Sequence, residues 1–217
     1  MTSSIAALLV RAMVDGEDEQ ADRTAVRILD AVVLEVATSG AAKLTIEGVA
    51  RRAGVNRATI YRRFGDLDGV KEAATMREGR RMAEVAARAI EGVNDPADRL
   101  VETFVAAIRI AREHPVISRV AVLEPGQLIA AGLADDAALL HLGSGVVAVG
   151  IRQAQAEGHA LHIDAEEMGQ TIAMLFAACV VLPATQGIDL RTDESVRAYA
   201  RRTLVPMIFG PNSARAQ

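Results

Sequence analysis

Residues 45–64 read TIEGVARRAGVNRATIYRRF, and this stretch decides the fold of the N-terminal part of the chain. Thr45 has a side-chain oxygen suited to capping a helix, and small apolar residues follow it at helical spacing. Gly54 is predicted to end this helix, because glycine accepts a positive φ at little cost. Asn56 is well suited to cap a second helix. The stretch is therefore predicted to form two short helices joined by a tight turn.

The second of these helices, predicted from Arg57 to about Arg63, is rich in groups that can bind DNA. Five arginines stand against one glutamate between Thr45 and Phe64, within a chain whose formal net charge is −4. In a helix-turn-helix the second helix enters the major groove, where arginine donates two bonds to guanine. Spacing alone leaves ordinary packing as an equal alternative, because small-residue helices joined by a glycine turn also occur as packing units.

The pattern L-T-I-x-x-V-A-x-x-A-G-V-x-x-x-T-I-Y-x-x-F, from Leu44 to Phe64, resembles the signature of the TetR (tetracycline-repressor) family of bacterial transcription regulators. The match is specific here and much weaker beyond this region. It implies an all-α fold of about nine or ten helices. In this fold an N-terminal three-helix helix-turn-helix domain is joined to a C-terminal helical ligand-binding and dimerisation domain.

The resemblance also implies which side chains contact DNA. The polar residues from Arg57 to Tyr61 are expected to read or abut bases, whereas Thr45 and the pair at 62 and 63 are expected mainly to hold phosphates. At Leu67 many family members carry a lysine that contacts phosphate, so this chain is expected to rely more on its paired arginines. The candidate DNA-binding residues are Thr45, Asn56, Arg57, Thr59, Tyr61, Arg62 and Arg63.

Composition places limits on the class of protein. With 217 residues and 51% hydrophobic content, the chain can build a sizeable core. Aromatic residues make up only 3%, which argues against a stacking platform for single-stranded nucleic acid. No secretory signal is visible, and the longest apolar run, Ile172–Leu182, is shorter than the roughly 20 residues that span a bilayer. We therefore expect a cytoplasmic protein without a membrane partner.

Charge and helix signals divide the chain into three parts. We expect an acidic N-terminal extension over 1–20, a helix-turn-helix DNA-binding domain over 21–66, and an effector-binding and dimerisation domain over 67–217. A helix from Asp22 to about Thr38 is expected to pack behind the turn unit. Residues 21–80 carry a net charge of +3 and residues 81–217 a net charge of −4. This division suits a DNA-reading head on a body that does not bind DNA.

The body is predicted to be helical throughout. Capping residues, Pro and Gly mark most of the helix ends. The last two helices are expected to form a four-helix interface in a homodimer, as the resemblance implies. The predicted body helices are Asp66 to about Glu91, Asp95 to His114, Val116–Leu123, Gln127–Leu133, Asp135 or Asp136 to about Glu157, one following an Asp164–Glu167 capping box, and about Asp193–Phe209.

A small, largely apolar effector is expected to enter the core of the body and to shift the heads apart through the fourth helix. The candidate ligand-binding residues are Phe104, Ile108, His141, Met168, Ile172 and Phe176. The same residues also fit a plain hydrophobic core, so the composition of these helices alone does not decide between the two roles.

Other chemistry is less well supported by the sequence. His159, His162 and Asp164 lie in a predicted loop without a further ligand, so a solvated turn is favoured over a metal site. Cys179 is expected to be a buried, inert thiol. Gly143-Ser144-Gly145 suits close helix approach or a kink better than a nucleotide loop. No nucleophile, base and acid occur in a recognisable set. We therefore expect neither a cofactor nor an enzymatic activity.

The sequence favours a dimeric, ligand-responsive repressor of a pseudo-palindromic DNA operator. Two alternatives remain open at this point. One is an all-α small-molecule carrier or enzyme whose head is only a packing module. The other is a DNA-binding activator that takes no effector.

Overall fold

A computed structural model describes residues 22–123, 126, 138–159 and 162–210. The predicted extension over 1–20 and the predicted helix Gln127–Leu133 lie outside these residues. Within them the chain is all-α, with one short hairpin, Ala184–Thr185 (β1) and Ile188–Asp189 (β2). The helices are α1 (Arg23–Ser39), α2 (Ile46–Ala53), α3 (Arg57–Phe64), α4 (Leu67–Ala89), α5 (Pro96–Glu113), α6 (Pro115–Leu123), α7 (Ala138–Ala156), α8 (Ala165–Val181) and α9 (Asp193–Phe209).

The predicted capping residues account for where several helices begin. The Asp66 carboxylate accepts a hydrogen bond from Gly69 N at 2.8 Å, and Asp95 does the same at the start of α5. Asp164 caps α8 by accepting from the N–H of Glu167. At α9 the structure adds a reciprocal capping box between Thr192 and Ser195, which we did not predict. These bonds satisfy N–H groups that a helix leaves free in its first turn.

The head has its own hydrophobic core. It is built from α1, α2, α3 and the first two turns of α4, and its most deeply buried side chains are Ile28, Val49, Ile60 and Val70. Close approach at the start of α4 depends on Gly69, because a Cβ there would lie 2.0 Å from the carbonyl oxygen of Phe64. The short helices α2 and α3 are thus held by packing between helices, since neither is long enough to be stable alone.

A second core lies in the body, between α5, α7, α8 and α9. Its fully buried residues include Val101, Ile172, Val196 and Leu204. Helices α7 and α8 approach so closely that a Cβ on Gly169 would lie 2.5 Å from Ser144 O. This confirms the close helix approach predicted at Gly143-Ser144-Gly145, with the contacting glycine supplied by the neighbouring helix.

Helix α9 runs antiparallel to α5 and is joined to it by charged pairs. Arg197 Nε lies 2.6 Å from Glu102 Oε1, and Arg201 Nη2 lies 2.9 Å from Asp98 Oδ1. At the other end of the same side, Arg112 donates to Asp193 at 2.7 Å. The acidic and basic residues repeat about every helical turn, so together they fix the register of the two helices.

The hairpin between α8 and α9 was not predicted. Ala184 pairs with Asp189 and Thr185 with Ile188 in antiparallel register, and Gly187 in the turn has a φ of 93°. Both strands are exposed. None of the helices in the described ranges combines the length and apolar character needed to cross a bilayer.

Candidate DNA-binding surface and effector site

Helices α2 and α3 form the predicted helix-turn-helix. Thr45 Oγ1 accepts from the N–H of Gly48 at 3.1 Å, and Asn56 Oδ1 accepts from the N–H of Ala58 at 2.9 Å. Between the helices Gly54 has φ 64° and ψ 40°, the left-handed conformation that glycine adopts without strain. The capping and turn roles predicted for Thr45, Gly54 and Asn56 are therefore confirmed.

Helix α1 braces this unit from behind through two charged side chains. Arg27 Nη2 donates to the carbonyl oxygens of Ala53 at 2.5 Å and Gly54 at 3.2 Å, which satisfies acceptors at the end of α2. Glu35, only 8% exposed, accepts from Arg52 Nε at 2.7 Å. These contacts fix the orientation of α2 relative to α1, and with it the orientation of α3.

One face of α3 packs on the head and the other is free. Ile60 is fully buried, while Tyr61 is 51% exposed and Arg57, Arg62 and Arg63 are exposed as well. Thr59 is half-buried. The free face therefore offers guanidinium groups and hydroxyls along two turns of a helix, the kinds of donor that bind base edges and phosphates.

The arginines of this surface differ in how far they are engaged within the protein. Arg57 forms an ion pair with Glu47, and Arg63 forms one with Asp22. The N–H of Thr24 and, after it, Arg63 lower the pKa of Asp22, so that carboxylate remains charged. Arg62 has no ion-pair partner among the described residues. Sequence patterns did not predict these pairings, because both join residues at least ten positions apart.

Two neighbouring positions complete the surface. Leu67, which replaces the usual lysine, is half-buried and packs against the head core, so it contributes apolar contact where the family contributes charge. Lys43 is exposed at the end of the short 3₁₀ turn Ala41–Lys43, just before Thr45. We overlooked Lys43 because it precedes the motif, although its charge beside a capping residue was visible in the sequence.

Five of the six candidate effector residues lie in or against the body core. Phe104, Ile108 and Ile172 are buried, and Met168 and Phe176 pack on them. The rings of Phe104 and Phe176 meet edge to face, with centroids 6.3 Å apart. His141 differs, because it lies on α7 with an exposed side chain. The structure therefore brings five residues together and leaves His141 outside their cluster.

Two further side chains of this cluster, Tyr199 and Cys179, were not among the predicted effector residues. The ring of Tyr199 lies 6.3 Å from that of Phe104, and its side chain interacts with the thiol of Cys179. Burial raises the pKa of Cys179 and also that of Tyr199. Cys179 is buried and uncharged, as predicted. Tyr199 thus adds a polar hydroxyl to an otherwise apolar group of rings.

Comparison with known proteins supports the assignment of the head. Residues 28–74 match a family model described as bacterial regulatory proteins, tetR family. Two Mycobacterium tuberculosis proteins named as uncharacterized HTH-type transcriptional regulators are 32% identical over 92 residues. That match covers 42% of this chain and 46% of each relative, so the chain spans about half the length of these relatives.

Solved structures resemble the whole fold. The fatty acid degradation regulator FadR from Bacillus halodurans has a TM-score of 0.63 at 16% identity, covering 88% of this chain and 97% of its own. A putative tetR family regulator from a Shewanella species gives 0.62 at 17% identity, covering 86% and 98%. RolR in complex with resorcinol gives 0.58 at 12% identity, covering 90% and 94%. At such low identities these likenesses show the fold alone.

The braced helix-turn-helix is thus the part of the chain that is similar to HTH-type transcriptional regulators. The head therefore matches the tetR family model over residues 28–74, and the whole fold resembles that of a solved structure described as a putative TetR-family regulator.

Proposed function

We propose that this protein is a ligand-responsive repressor that binds a pseudo-palindromic operator as a homodimer and acts in the cytoplasm. The observation that carries the proposal is the free face of α3, which presents exposed arginines and Tyr61 while Ile60 anchors the helix. Two such heads related by a two-fold axis would meet successive major grooves about 34–36 Å apart. We assign residues 21–66 to DNA binding and 67–217 to effector binding and dimerisation. The two separate cores support a division into head and body, and the head core also takes in Val70 and Ala74 from the start of α4.

Within this proposal the DNA-binding residues keep the roles implied by the resemblance. Residues from Arg57 to Tyr61 read or abut bases, Asn56 presents the start of α3, and Thr45 holds a phosphate with Arg62 and Arg63. Arg57 must leave Glu47, and Arg63 must leave Asp22, when DNA binds. Arg62 has no ion pair to give up among the described residues, so we expect it to provide the strongest phosphate contact.

The dimer interface is proposed on the last two helices. Met174 is 59% exposed on α8, on a side of the helix away from the buried Ile172 and Cys179. Met207 on α9 is also exposed. Large apolar side chains at the surface of one chain are stabilised when a second copy removes them from water. These positions support the interface without fixing its geometry.

The effector is proposed to be small and largely apolar, and to bind among Phe104, Ile108, Met168, Ile172 and Phe176. Edge-to-face aromatic rings favour a flat or hydrocarbon ligand, and Tyr199 can donate one hydrogen bond to it. Two structural neighbours point the same way, since one is named for fatty acid degradation and another was solved with resorcinol. His141 becomes part of the site only if α7 moves.

The DNA-binding role can be tested by the salt dependence of binding. Each phosphate contact adds about 0.9 to the slope of log K against log salt. We expect Arg62→Ala with Arg63→Ala to lower the slope by between about one and two, because Arg63 is partly neutralised by Asp22. Arg80→Ala with Arg81→Ala is the matched control, since both arginines are exposed on α4. A slope that does not change in the first variant contradicts the phosphate role.

The operator and effector can be sought with the same protein. Fragments of the source genome that bind the purified protein should share a two-fold sequence, and candidate apolar ligands should release them. A protein that selects no DNA at low salt, or that is a monomer at micromolar concentration, would contradict the proposed function.

A further inference from the structure

The junction between the head and the body is polar. The head core ends at Ala74 and the body core begins at Val101, and between them, apart from Pro96, no apolar side chain is buried. Every residue of this stretch is described. Helix α4 therefore crosses from one core to the other without a fully buried apolar side chain, and polar contacts add to the restraint that comes from its packing on α1 and α5.

Three charged or polar side chains meet at this junction, and we call Arg77, Glu78 and His114 the ionic joint. Arg77 Nη2 donates to Glu78 Oε1 at 2.9 Å, and His114 Nε2 lies 3.5 Å from Glu78 Oε2. The side chains of Glu78 and His114 are only 12% and 13% exposed. His114 and then Arg77 hold the pKa of Glu78 at about 2, against the effect of burial. Glu78 is therefore a largely buried carboxylate that stays charged.

Arg77 connects the joint to the head. Its Nη1 donates to the carbonyl oxygen of Val26 at 3.1 Å, and its Nη2 donates to Asp30 at 2.5 Å. Both acceptors belong to α1, whose Arg27 holds the turn of the helix-turn-helix. A shift of Arg77 is thus passed to α1 and, through α1, to the angle of α3.

His114 connects the joint to the body. Its Nδ1 accepts from the backbone N–H groups of Val116 and Ile117, at 3.3 and 3.4 Å, which caps the start of α6. Because Nδ1 is an acceptor, a neutral imidazole carries its proton on Nε2. This nitrogen is buried 3.5 Å from Glu78 Oε2 and forms no hydrogen bond of normal geometry with the described residues, so Glu78 is its nearest acidic neighbour. Ile108, a proposed effector contact, lies six residues earlier on α5, or about 9 Å along the helix axis.

We propose that Glu78 positions the DNA-reading head on the body, and that the ionic joint transmits movement of the α5–α6 corner to α1. This inference rests on the proposed function for its biological role. The Glu78 carboxylate faces His114, at the corner between α5 and α6, on one side. On the other side it faces Arg77, which binds α1. A displacement of His114 therefore acts on the head and on α4 together, because a buried charge cannot lose its partners without cost.

Two variants weaken the joint without removing the helices it joins. Glu78→Gln keeps the shape of the side chain but removes the charge. His114→Asn keeps an oxygen that can cap α6 but cannot reach Glu78. Glu84→Gln is the matched control, because Glu84 is an exposed residue of the same helix whose partner, Arg88, is also on α4.

The first measurement needs neither DNA nor effector. Spin labels on Leu34→Cys in the head and Gln153→Cys in the body, in a Cys179→Ala background diluted with unlabelled protein, report the distance between head and body. We expect one narrow distribution in the parent and the control, and a distribution broader by at least about twofold in the two joint variants. Equal widths in all four proteins would overturn the proposal.

The second measurement separates positioning from general damage. For a selected two-fold DNA fragment we expect affinity to fall about five- to 150-fold, the usual range of coupling between sites. For a duplex with one half-site the loss should be less than about twofold, because the head itself is intact. Equal losses on both duplexes would assign Glu78 a merely structural role. If the parent binds no DNA, the proposed function fails, while the distance measurement still decides the joint.

Discussion

At the scale of single residues, Arg57 is paired with Glu47 in the free protein. Both side chains are more than half exposed, so the pair adds little to stability. In the proposed complex with DNA, Arg57 would exchange this carboxylate for a phosphate or a guanine. Glu47 would then oppose binding in two ways, since it occupies the arginine and repels the phosphate backbone.

We accordingly expect Glu47→Gln to bind DNA more tightly. The gain should be about two- to fivefold at low salt, corresponding to a weak exposed ion pair of about 0.5–1 kcal/mol. Fluorescence anisotropy with a mixed-sequence duplex measures it, and Glu84→Gln should show no change. Weaker binding by Glu47→Gln would mean that Glu47 serves to orient Arg57 for the base.

Two glycines provide a matched test of close packing. At Gly69 a Cβ would lie 2.0 Å from a backbone oxygen, whereas at Gly145 it meets nothing within 4 Å. We expect Gly69→Ala to lower the free energy of unfolding by about 1–3 kcal/mol. Gly145→Ala should raise it by about 0.5–1 kcal/mol, since alanine favours the helix. Urea denaturation followed by circular dichroism compares the two, and similar shifts in both would contradict the packing at α4.

At the scale of elements, the ion pairs between α5 and α9 make stability depend on pH. Arg197 lowers the pKa of Glu102 from its ordinary value of 4.5. A carboxylate with a depressed folded pKa stabilises the protein above its unfolded pKa and loses that effect as the pH falls through its folded pKa. The contribution is present at neutral pH and disappears in acid.

Glu102→Gln should therefore be less stable than the parent at pH 7, by about 0.5–1 kcal/mol because Arg197 is partly exposed. The difference should shrink below pH 4.5, because the unfolded parent chain is protonated at Glu102 there, and it should vanish once the pH falls below the lowered folded pKa. Urea denaturation at several pH values gives the curve, with Glu84→Gln as control. A difference that persists unchanged at pH 3 would assign the effect to packing.

The sequence predicted elements well where the signal is local. Thr45, Gly54, Asn56 and Asp66 set helix ends through bonds within a few residues, and the structure confirms each. Contacts between distant segments were not predictable in this way. Glu102 and Arg197 meet only because α9 packs on α5, and nothing near either residue records the partner.

In the candidate sites, too, local sequence patterns were predictive and features that depend on packing between helices were not. Exposure of Tyr61 followed from the single apolar anchor at Ile60, which is a local pattern. The exposure of His141 did not follow, because the direction of a side chain on α7 depends on which neighbours that helix packs against. The roles of these residues in binding DNA or effector remain predictions.

At the scale of the whole molecule, the proposed dimer would bury the exposed face of α8 around Met174. We expect Met174→Glu to convert this proposed dimer to a monomer, because a charge placed in an apolar interface loses its hydration. Sedimentation velocity at micromolar concentration measures this. Leu34→Glu is the control, since Leu34 is similarly exposed but lies on the head. A Met174→Glu protein that remains dimeric would move the interface away from α8.

The way α3 packs on the head also determines which of its positions can change during evolution. In α3, all of which is described, Ile60 is the one buried residue. Phe64 packs partly buried against the head core and Thr59 is half-buried, whereas the other five positions are exposed and can change with little effect on that core. If the proposed function holds, gene duplicates could acquire new operators by altering the exposed surface of α3 alone, and an engineer could exchange that surface while leaving the body unchanged.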